Sequence, residues 1–139
     1  MSLKIKILNE HYVPPVRTSE GSAGLDLHSP YNLTLMPNKS HLIPMGFAVE
    51  IPPNFYVQLT SRSGFALRGN TVLGGVIDSD FRGQVLLLLH NLSSIPVNIK
   101  VGDRIAQALI LKTYKFPLVH VDELSITARG ERGMGSSGE

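Results

Sequence analysis

The chain has 139 residues, with 42% hydrophobic and 17% charged side chains, a formal net charge of +2 and no cysteine. This length and composition predict one folded domain with one core and exclude a disordered chain. The absence of cysteine excludes disulfides, thiolate metal ligands and a cysteine nucleophile. The small net charge, without a dense run of Lys or Arg, gives no support to duplex nucleic-acid binding.

The N-terminal stretch MSLKIKILNEHYVPP lacks the apolar core of a signal peptide. No stretch of the chain is long and apolar enough to predict a membrane-spanning helix. We therefore expect a soluble intracellular protein, in the cytoplasm or the nucleus, without a membrane partner.

Short runs with strand character follow one another along the chain, separated by 13 Gly and 9 Pro. The first run alternates Leu3, Ile5 and Ile7 with Lys4 and Lys6, as a half-buried strand does. The later runs occupy residues 31–35, 41–51, 55–61, 84–92, 97–101, 105–114 and 118–121. One short helix is predicted for SGFALRGN, which ends in Gly and Asn. Short strands at this spacing predict an all-β fold: a jelly roll, a sandwich or a distorted barrel.

The run at 84–92 is unusual because Val85 to Leu89 are all apolar. Both faces of such a strand should be buried. Packing between two sheets of one chain and packing between subunits both satisfy this expectation, and the sequence leaves the choice open.

The C-terminal residues 129–139 are rich in glycine and have one apolar side chain, Met134. Such a segment cannot form a core element alone. We predict a β domain over residues 1–128 and a flexible C-terminal arm over 129–139.

Five stretches combine glycine with polar or charged residues where a predicted strand ends: 23–29, 61–69, 75–83, 102–110 and 129–138. In the first, Asp26 lies between Leu25 and Leu27 and points away from the core if the leucines face it. It is then either a solvated strand carboxylate or an outer-shell contact to a hard cation such as Mg²⁺.

The second stretch places Arg62, Ser63 and Gly64 at the start of the predicted helix. Backbone N–H groups, a hydroxyl and the planar donor fork of arginine suit a bound phosphate. The alternative is a Ser N-cap beside a surface arginine.

The third stretch carries two acids, Asp78 and Asp80. Asp78 directly follows Val76 and Ile77, so its carboxylate is expected at the edge of a buried strand, where it could orient and deprotonate a water. Asp80 has the same side-chain parity in a continuous strand, so this stretch alone does not choose between the two acids. Only the neighbouring motifs favour Asp78, and Asp80 is then structural, bracing the turn or pairing with a nearby arginine such as Arg82.

The residues on either side of this acid suit a flat ligand. Residues 70–75 suggest a hairpin, in which Gly74 and Gly75 let the backbone approach a planar ring. Phe81 is either a cross-strand packing residue or a flat wall for a sugar or a base.

Gln107 and the arm also carry polar groups, and each of them has two interpretations. Gln107 lies inside an apolar run and is either a satisfied internal amide or a ligand-facing one. The arm combines Arg129 and Arg132 with glycines and two serines, which makes either an anion clamp or a disordered tail.

In this order and spacing, the five stretches resemble the motifs of the trimeric dUTP pyrophosphatases (dUTPases), over about residues 14–138. AGLDL is similar to the first motif, RSGFA to the second, GVIDSDFRG to the third, GDRIAQALI to the fourth and RGERGMGSSG to the fifth. The resemblance implies a jelly-roll homotrimer that converts dUTP and water to dUMP and pyrophosphate with Mg²⁺. This reaction keeps uracil out of DNA and supplies dUMP for thymidylate synthesis. Each site would take motifs two and four from one chain, motif three from a neighbour and motif five from the third chain.

The resemblance also implies a role for each matching residue. Asp78 would activate the water that attacks the α-phosphorus, Asp26 would contact the metal through water, and Phe81 would lie against the deoxyribose. The backbone that reads uracil comprises Leu73, Gly75, Val76 and Ile77. The residues that hold the phosphates or close over the nucleotide are Arg62, Ser63, Gly64, Gln107, Arg129, Met134, Gly135, Ser136 and Ser137.

Four positions depart from the family pattern. Phe81 replaces a usual Tyr, Met134 an aromatic, Arg132 a glycine and Ser61 a common Pro. Because Asp78 is retained, we expect an active enzyme. The alternatives are a nucleotide-sensing or partner-binding module that binds dUTP without turnover, and a dCTP deaminase of the same fold.

Overall fold

The structure is a computed structural model, and it describes residues 1–135. Ten strands and one short helix form in this part of the chain. They are β1 (Lys4–Ile7), β2 (Gly24–His28), β3 (Leu33–Leu35), β4 (Ser40–Glu50), β5 (Phe55–Thr60), α1 (Ser63–Leu67), β6 (Asn70–Leu73), β7 (Val76–Ile77), β8 (Gln84–Asn91), β9 (Val97–Ile99) and β10 (Arg104–Lys112).

Eight of these strands form two four-stranded sheets, with the orders β1-β4-β8-β6 and β2-β10-β5-β7. The remaining pair, β3 and β9, forms a small third sheet. Neighbouring strands are antiparallel and mostly far apart in the sequence, as β2 and β10 are. The predicted all-β jelly roll with one short helix is therefore confirmed.

The core lies between the two larger sheets. Alternate side chains point inward, so Leu27 of β2 and Leu59 of β5 meet Phe47 of β4 and Leu87 of β8 in one apolar cluster. Phe65 anchors α1 to the same cluster. The core thus holds α1 and the ends of β2 and β10 in fixed positions on one side of the domain.

Strand β8 buries only one of its faces in the described chain. Leu87 is fully buried, whereas Leu86 is 46% exposed and Leu88 is half-buried. The exposed face continues onto Leu42 of β4, which pairs with Leu88 and is 59% exposed. Packing between the two sheets of the described chain therefore buries only one face of β8, because no further layer covers the outer face of its sheet. Burial of the second face between subunits stays a prediction.

The residues around Gly74 and Gly75 do not form the predicted hairpin. Strand β6 pairs with β8 in one sheet, whereas the two residues of β7 pair with β5 in the other. The two glycines therefore carry the chain from one sheet to the other. Gly75 has φ +96°, and a Cβ there would lie 2.5 Å from the carbonyl oxygen of Leu59. Position 75 therefore requires glycine.

Beyond β10, residues 113–135 form neither helix nor strand. The run at 118–121, which has strand character in the sequence, pairs with no strand of the described chain. Leu118 and Ile126 are almost fully exposed there. The division into a β domain and an arm after residue 128 stays a prediction.

Residues 1–135 contain no helix that is long and apolar enough to cross a membrane.

Candidate active site

A polar pocket opens where β2, β10 and the start of α1 meet. The residues that line this polar pocket are Thr18, Ser22, Ala23, Gly24, Asp26, Arg62, Ser63, Arg104 and Gln107. Strand register explains part of the grouping, because Gln107 of β10 pairs with Asp26 on one side and with Thr60 on the other. Thr60 ends β5, and the chain then turns at once into Arg62 and α1. Residues from the first, second and fourth predicted stretches are thus brought together.

Asp26 is the centre of the polar pocket. Thr18 Oγ1 donates to its Oδ2 at 2.7 Å, and Arg62 Nε donates to its Oδ1 at 2.9 Å. Arg104 Nη1 lies 3.8 Å from Oδ2, and the Asp26 side chain is 14% exposed. Both carboxylate oxygens therefore have partners, so Asp26 is not a free solvated acid. It still faces away from the core, as its place between two leucines predicts.

These contacts lower the pKa of Asp26 below its ordinary value of 3.8. Burial acts in the opposite direction and is the largest single influence, but it is outweighed by the rest. The hydrogen bonds from Thr18 and Arg62 and the charges of Arg62 and Arg104 together favour the ionised carboxylate. Asp26 is therefore charged at neutral pH.

This arrangement makes part of the folding stability dependent on Asp26 ionisation. Because the folded-state pKa is depressed, the contribution is present above the ordinary pKa near 3.8 and is lost as pH falls through the lower folded-state pKa. We expect Asp26→Asn to lower the Tm by roughly 5 °C at pH 7, and by progressively less as the pH falls below 3.8. Thermal unfolding followed by circular dichroism across this pH range measures the difference.

The control for that measurement is Glu20→Gln, at an exposed position that makes no ion pair in residues 1–135. Its Tm should follow that of the wild type at every pH. A gap between wild type and Asp26→Asn that stayed constant down to pH 3 would show that the charge of Asp26 is not what stabilises the fold.

Arg62 presents part of its guanidinium group to the polar pocket. Nε is taken by Asp26, while the two Nη atoms make no hydrogen bond within residues 1–135. Arg62 is itself the N-cap of α1 and provides no side-chain cap, so the alternative of a Ser63 N-cap is wrong. Ser63 and Gly64 are exposed, and the space beside the Gly64 Cα is open. The Phe65 N–H already donates to the Arg62 carbonyl at 3.1 Å, so the N–H groups of Ser63 and Gly64 are the ones that suit an incoming anion.

Gln107 is both an internal amide and a lining residue. Its Nε2 donates to the Ser61 carbonyl at 3.0 Å, which ties β10 to the loop before α1. Its Oε1 lies so close to β2 that a Cβ on Gly24 would come within 2.9 Å of it. Only glycine at position 24 allows this approach without a shift of the amide. The two alternatives left open by the sequence are thus compatible.

Asp78 lies outside the polar pocket. It is exposed, directly follows β7, and its carbonyl accepts the Phe81 N–H at 3.1 Å in a tight turn. Its carboxylate has no ion pair or hydrogen-bond partner among residues 1–135. Such an acid is free to act on a water or a ligand that enters from outside.

The predicted pairing of Asp80 with Arg82 is wrong in the described chain. Arg82 Nη1 instead donates to the carbonyls of Ser79 at 2.7 Å and Phe81 at 3.2 Å. Its Nη2 lies 3.7 Å from Glu50. In this short loop the guanidinium of Arg82 bonds to the two backbone carbonyls, whereas the Asp80 carboxylate is exposed and does not bond to it. Arg82 therefore braces the turn that Asp80 was expected to brace.

Asp26 and Asp78 of one chain are too far apart to act on one phosphate. They lie at β2 and β7, the opposite edges of a four-stranded sheet, so three strand spacings, about 14 Å, separate them. The two acids are also displaced along the strand direction. Asp26 lies in register with Thr60 of β5, whereas Asp78 lies one residue past Ile77, which pairs with Val57 of β5. That offset adds roughly 13 Å along the strands.

The arm also lies apart from the polar pocket. Arg129 Nε donates to the Arg132 carbonyl, and Arg132 Nε returns a bond to the Arg129 carbonyl. Met134 is fully exposed, and Gly135 has φ +77°. No residue of 129–135 lines the polar pocket. Ser136 and Ser137 lie outside the described residues.

Two lining side chains that contact Asp26, those of Arg104 and Thr18, were not assigned a role from the sequence. Arg104 lies in the fourth stretch, three residues before Gln107. A cation so close to a candidate ligand-facing amide could have been predicted to line the same site. Thr18 lies in the loop before β2 and contacts Asp26 only because residue 16 bridges to residue 26. No local pattern marks such a contact.

A sequence profile of the dUTPase family matches residues 10–138, so the chain belongs to the dUTPase family. It is similar to the deoxyuridine 5'-triphosphate nucleotidohydrolase of Nautilia profundicola, with 43% identity over 142 residues and all of both chains covered. The enzyme of that name from Caldanaerobacter subterraneus subsp. tengcongensis is 43% identical over 129 residues, which cover 89% of this chain and 87% of that protein. A solved structure of a dUTPase variant from Staphylococcus bacteriophage 80alpha with dUpNHpp superposes with a TM-score of 0.90, at 27% identity and 99% coverage of each chain.

Proposed function

We propose that the protein hydrolyses dUTP to dUMP and pyrophosphate, which keeps uracil out of DNA and supplies dUMP for thymidylate synthesis. The observation that supports this proposal most directly is the polar pocket, in which Arg62 and Arg104 flank the Asp26 carboxylate in a chain of the dUTPase family. Relatives that are 43% identical bear the name of this activity.

The polar pocket suits the phosphates of the nucleotide. Arg62 and Arg104 bring two positive charges against the single charge of Asp26, so an anion is attracted. Because Asp26 holds Nε of Arg62, the two Nη atoms are presented in a fixed direction. Ser63, Gly64 and Gln107 complete the set of phosphate contacts in this proposal.

The same residues fit Mg²⁺ only when it arrives with the phosphates. Both oxygens of Asp26 have protein partners, and residues 1–135 contain no group of three or more His, Cys, Asp or Glu that could hold an ion. Magnesium in nucleotide sites is held mainly by phosphate oxygens and waters, with one or two carboxylates. An outer-shell contact through water is therefore the role that Asp26 can take. The bound ion would neutralise charge that builds up on the phosphates.

Asp78 is the general base of this proposal. It would hold and deprotonate the water that attacks the α-phosphorus. Its exposure and its lack of a cationic partner in the described chain leave the carboxylate free for that proton transfer. Since it lies far from the polar pocket of its own chain, the base must come from a neighbouring subunit. A homotrimer with three such shared sites satisfies this requirement.

The other end of the nucleotide would lie beside the third stretch. Leu73, Val76 and Phe81 expose their apolar side chains around Gly74 and Gly75. Backbone N–H and C=O groups of Leu73, Gly75, Val76 and Ile77 would pair with the uracil edge, and cytosine would leave some of them unpaired. Phe81 would fill the space beside C2′, where a ribose hydroxyl would lie. The arm residues Arg129, Met134, Gly135, Ser136 and Ser137 would close over the bound nucleotide.

The trimer interface is proposed to include the exposed face of β8. Leu86, Leu88 and Leu42 form an apolar surface there that no described residue covers. We expect Leu86→Glu to prevent assembly, because three symmetry-related carboxylates would be buried without partners. Light scattering after gel filtration should give about three times 15.2 kDa for the wild type and about one chain mass for the variant.

Met36→Glu is the matched control for assembly. Its side chain is 48% exposed, close to the 46% of Leu86, but it lies outside β8. This variant should keep the wild-type mass. A Leu86→Glu protein of wild-type mass would place the interface elsewhere.

The activity itself is tested by incubating the protein with Mg²⁺ and each of dUTP, UTP, dCTP and dTTP. Pyrophosphate should be released from dUTP at a rate at least about 100-fold above the rates with the other three. Pyrophosphate release from dUTP that does not exceed the buffer rate would refute the proposal, and ammonia release from dCTP would support a deaminase instead.

A further inference from the structure

The ring of Phe81 lies directly over the backbone of Gly83. A Cβ built on Gly83 would be 2.6 Å from Phe81 Cζ, 3.0 Å from Cε2 and 3.3 Å from Cε1. Apart from the adjacent residues 82 and 84, these three ring atoms are the nearest neighbours of that position. Ordinary contact between carbon atoms is about 3.5–4.0 Å, so no side chain fits at position 83 while the ring keeps its place.

The backbone at Gly83 does not itself demand glycine. Its φ lies outside the left-handed region, in contrast to Gly74 and Gly75 in the preceding turn. Any residue could adopt this conformation. A side chain at position 83 is therefore excluded by the Phe81 ring and not by the backbone conformation.

The rest of the loop is held by bonds that do not involve the ring. The Phe81 N–H donates to the Asp78 carbonyl, and Arg82 binds the carbonyls of Ser79 and Phe81. The Phe81 side chain, in contrast, is 46% exposed, so the core does not hold it. The ring instead packs against the backbone of Gly83, where no side chain is present.

We propose that Gly83 is a positioning residue that sets the location of the Phe81 ring and thereby the discrimination between deoxyribose and ribose. This inference rests on the proposed function, in which Phe81 lies against the sugar. A Cβ at position 83 would displace the ring tip by about 1 Å or more. Because the ring is half-exposed, it can turn outward at little cost in stability. The displaced ring would then no longer fill the space beside C2′.

The test is a double-mutant cycle on nucleotide selectivity. Gly83→Ala should lower kcat/KM for dUTP by at least about tenfold and lower the dUTP/UTP ratio of kcat/KM by about tenfold or more. The Tm should change by less than about 3 °C, since no core contact is lost. In a Phe81→Ala background the same Gly83→Ala change should alter the ratio by less than about twofold, because the ring is gone.

Gly21→Ala is the matched control. Gly21 also has no left-handed φ, and nothing lies within 4 Å of a Cβ built there. This variant should keep the wild-type selectivity. If Gly83→Ala fails to fold, Phe81→Leu combined with Gly83→Ala should recover a folded protein, because the shorter side chain leaves room for the Cβ.

Several results would overturn the inference. These are an unchanged dUTP/UTP ratio in Gly83→Ala, an equal loss in the Phe81→Ala background, and no recovery in the Phe81→Leu combination. The proposed function is judged separately by wild-type pyrophosphate release. If the wild type did not hydrolyse dUTP, aromatic ¹³C NMR of Phe81 would still decide whether Gly83→Ala moves the ring and Gly21→Ala does not. Unmoved ring signals in Gly83→Ala would overturn the positioning role.

Discussion

Replacing Asp78 by Asn should lower kcat for dUTP hydrolysis by about three orders of magnitude. The amide keeps the size and shape of the side chain but cannot take a proton from the attacking water. Because the Asp78 side chain makes no hydrogen bond or ion pair within residues 1–135 and is exposed, the fold and the KM should change little. Pyrophosphate release under single-turnover conditions measures the chemical step directly.

Asp80→Asn is the matched control for this substitution. Asp80 lies in the same exposed loop, but it lines a surface with Met1, Ser2 and Pro53. Its replacement should leave kcat within about twofold of the wild type. An Asp78→Asn enzyme with more than a tenth of wild-type turnover, or an equal loss in Asp80→Asn, would contradict the assignment of the base.

Mixed trimers of Asp78→Asn and Arg62→Ala chains should regain activity that neither variant has alone. In the proposed assembly, each site combines Arg62 of one chain with Asp78 of a neighbour. Random mixing of equal amounts restores both residues in about a quarter of all sites, which corresponds to about one restored site in each mixed trimer. Two different affinity tags allow the mixed trimers to be purified in sequence, and dUTP turnover per chain is then measured.

The corresponding control mixes Arg62→Ala chains with Gln107→Ala chains. Both residues line the polar pocket of the same chain, so no mixed site has both intact. Turnover should not exceed the average of the two parents. If the first mixture formed mixed trimers yet stayed inactive, the base and the phosphate pocket would not be shared between neighbours.

Local sequence patterns predicted the elements of this fold well. Alternation identified the strands around Ile5 and Ile99, although all four residues of β1 are exposed and the strand is not half-buried in the described chain. A Gly-Asn stop identified the end of the helix that follows Arg62. Alternation also placed Asp26 on the face opposite the leucines. These signals are local, because side-chain direction in a strand repeats every second residue.

The same patterns did not identify partners that are distant in the chain. The apolar run 85–89 of β8 predicts two buried faces, but it does not say what covers the face of Leu86, which has no covering layer in the described chain. A paired hairpin was expected around Gly74, but β6 and β7 belong to different sheets. Strand partners are chosen by how two whole sheets bury their apolar faces, and a short window of sequence does not contain that information.

The residue types and the order of the five motifs were enough to identify the dUTPase family and its chemistry, because each motif is a short contiguous stretch of the sequence. Which of them meet was decided only by the tertiary structure. Asp26 meets Arg62 and Arg104 since β2, β10 and β5 are adjacent in one sheet. Asp78 is held at the far edge of that sheet, beyond the reach of the pocket in its own chain. The physical reason is that strand order is set by burial of the shared core, which joins residues far apart in the chain and separates others that the motifs place in one site.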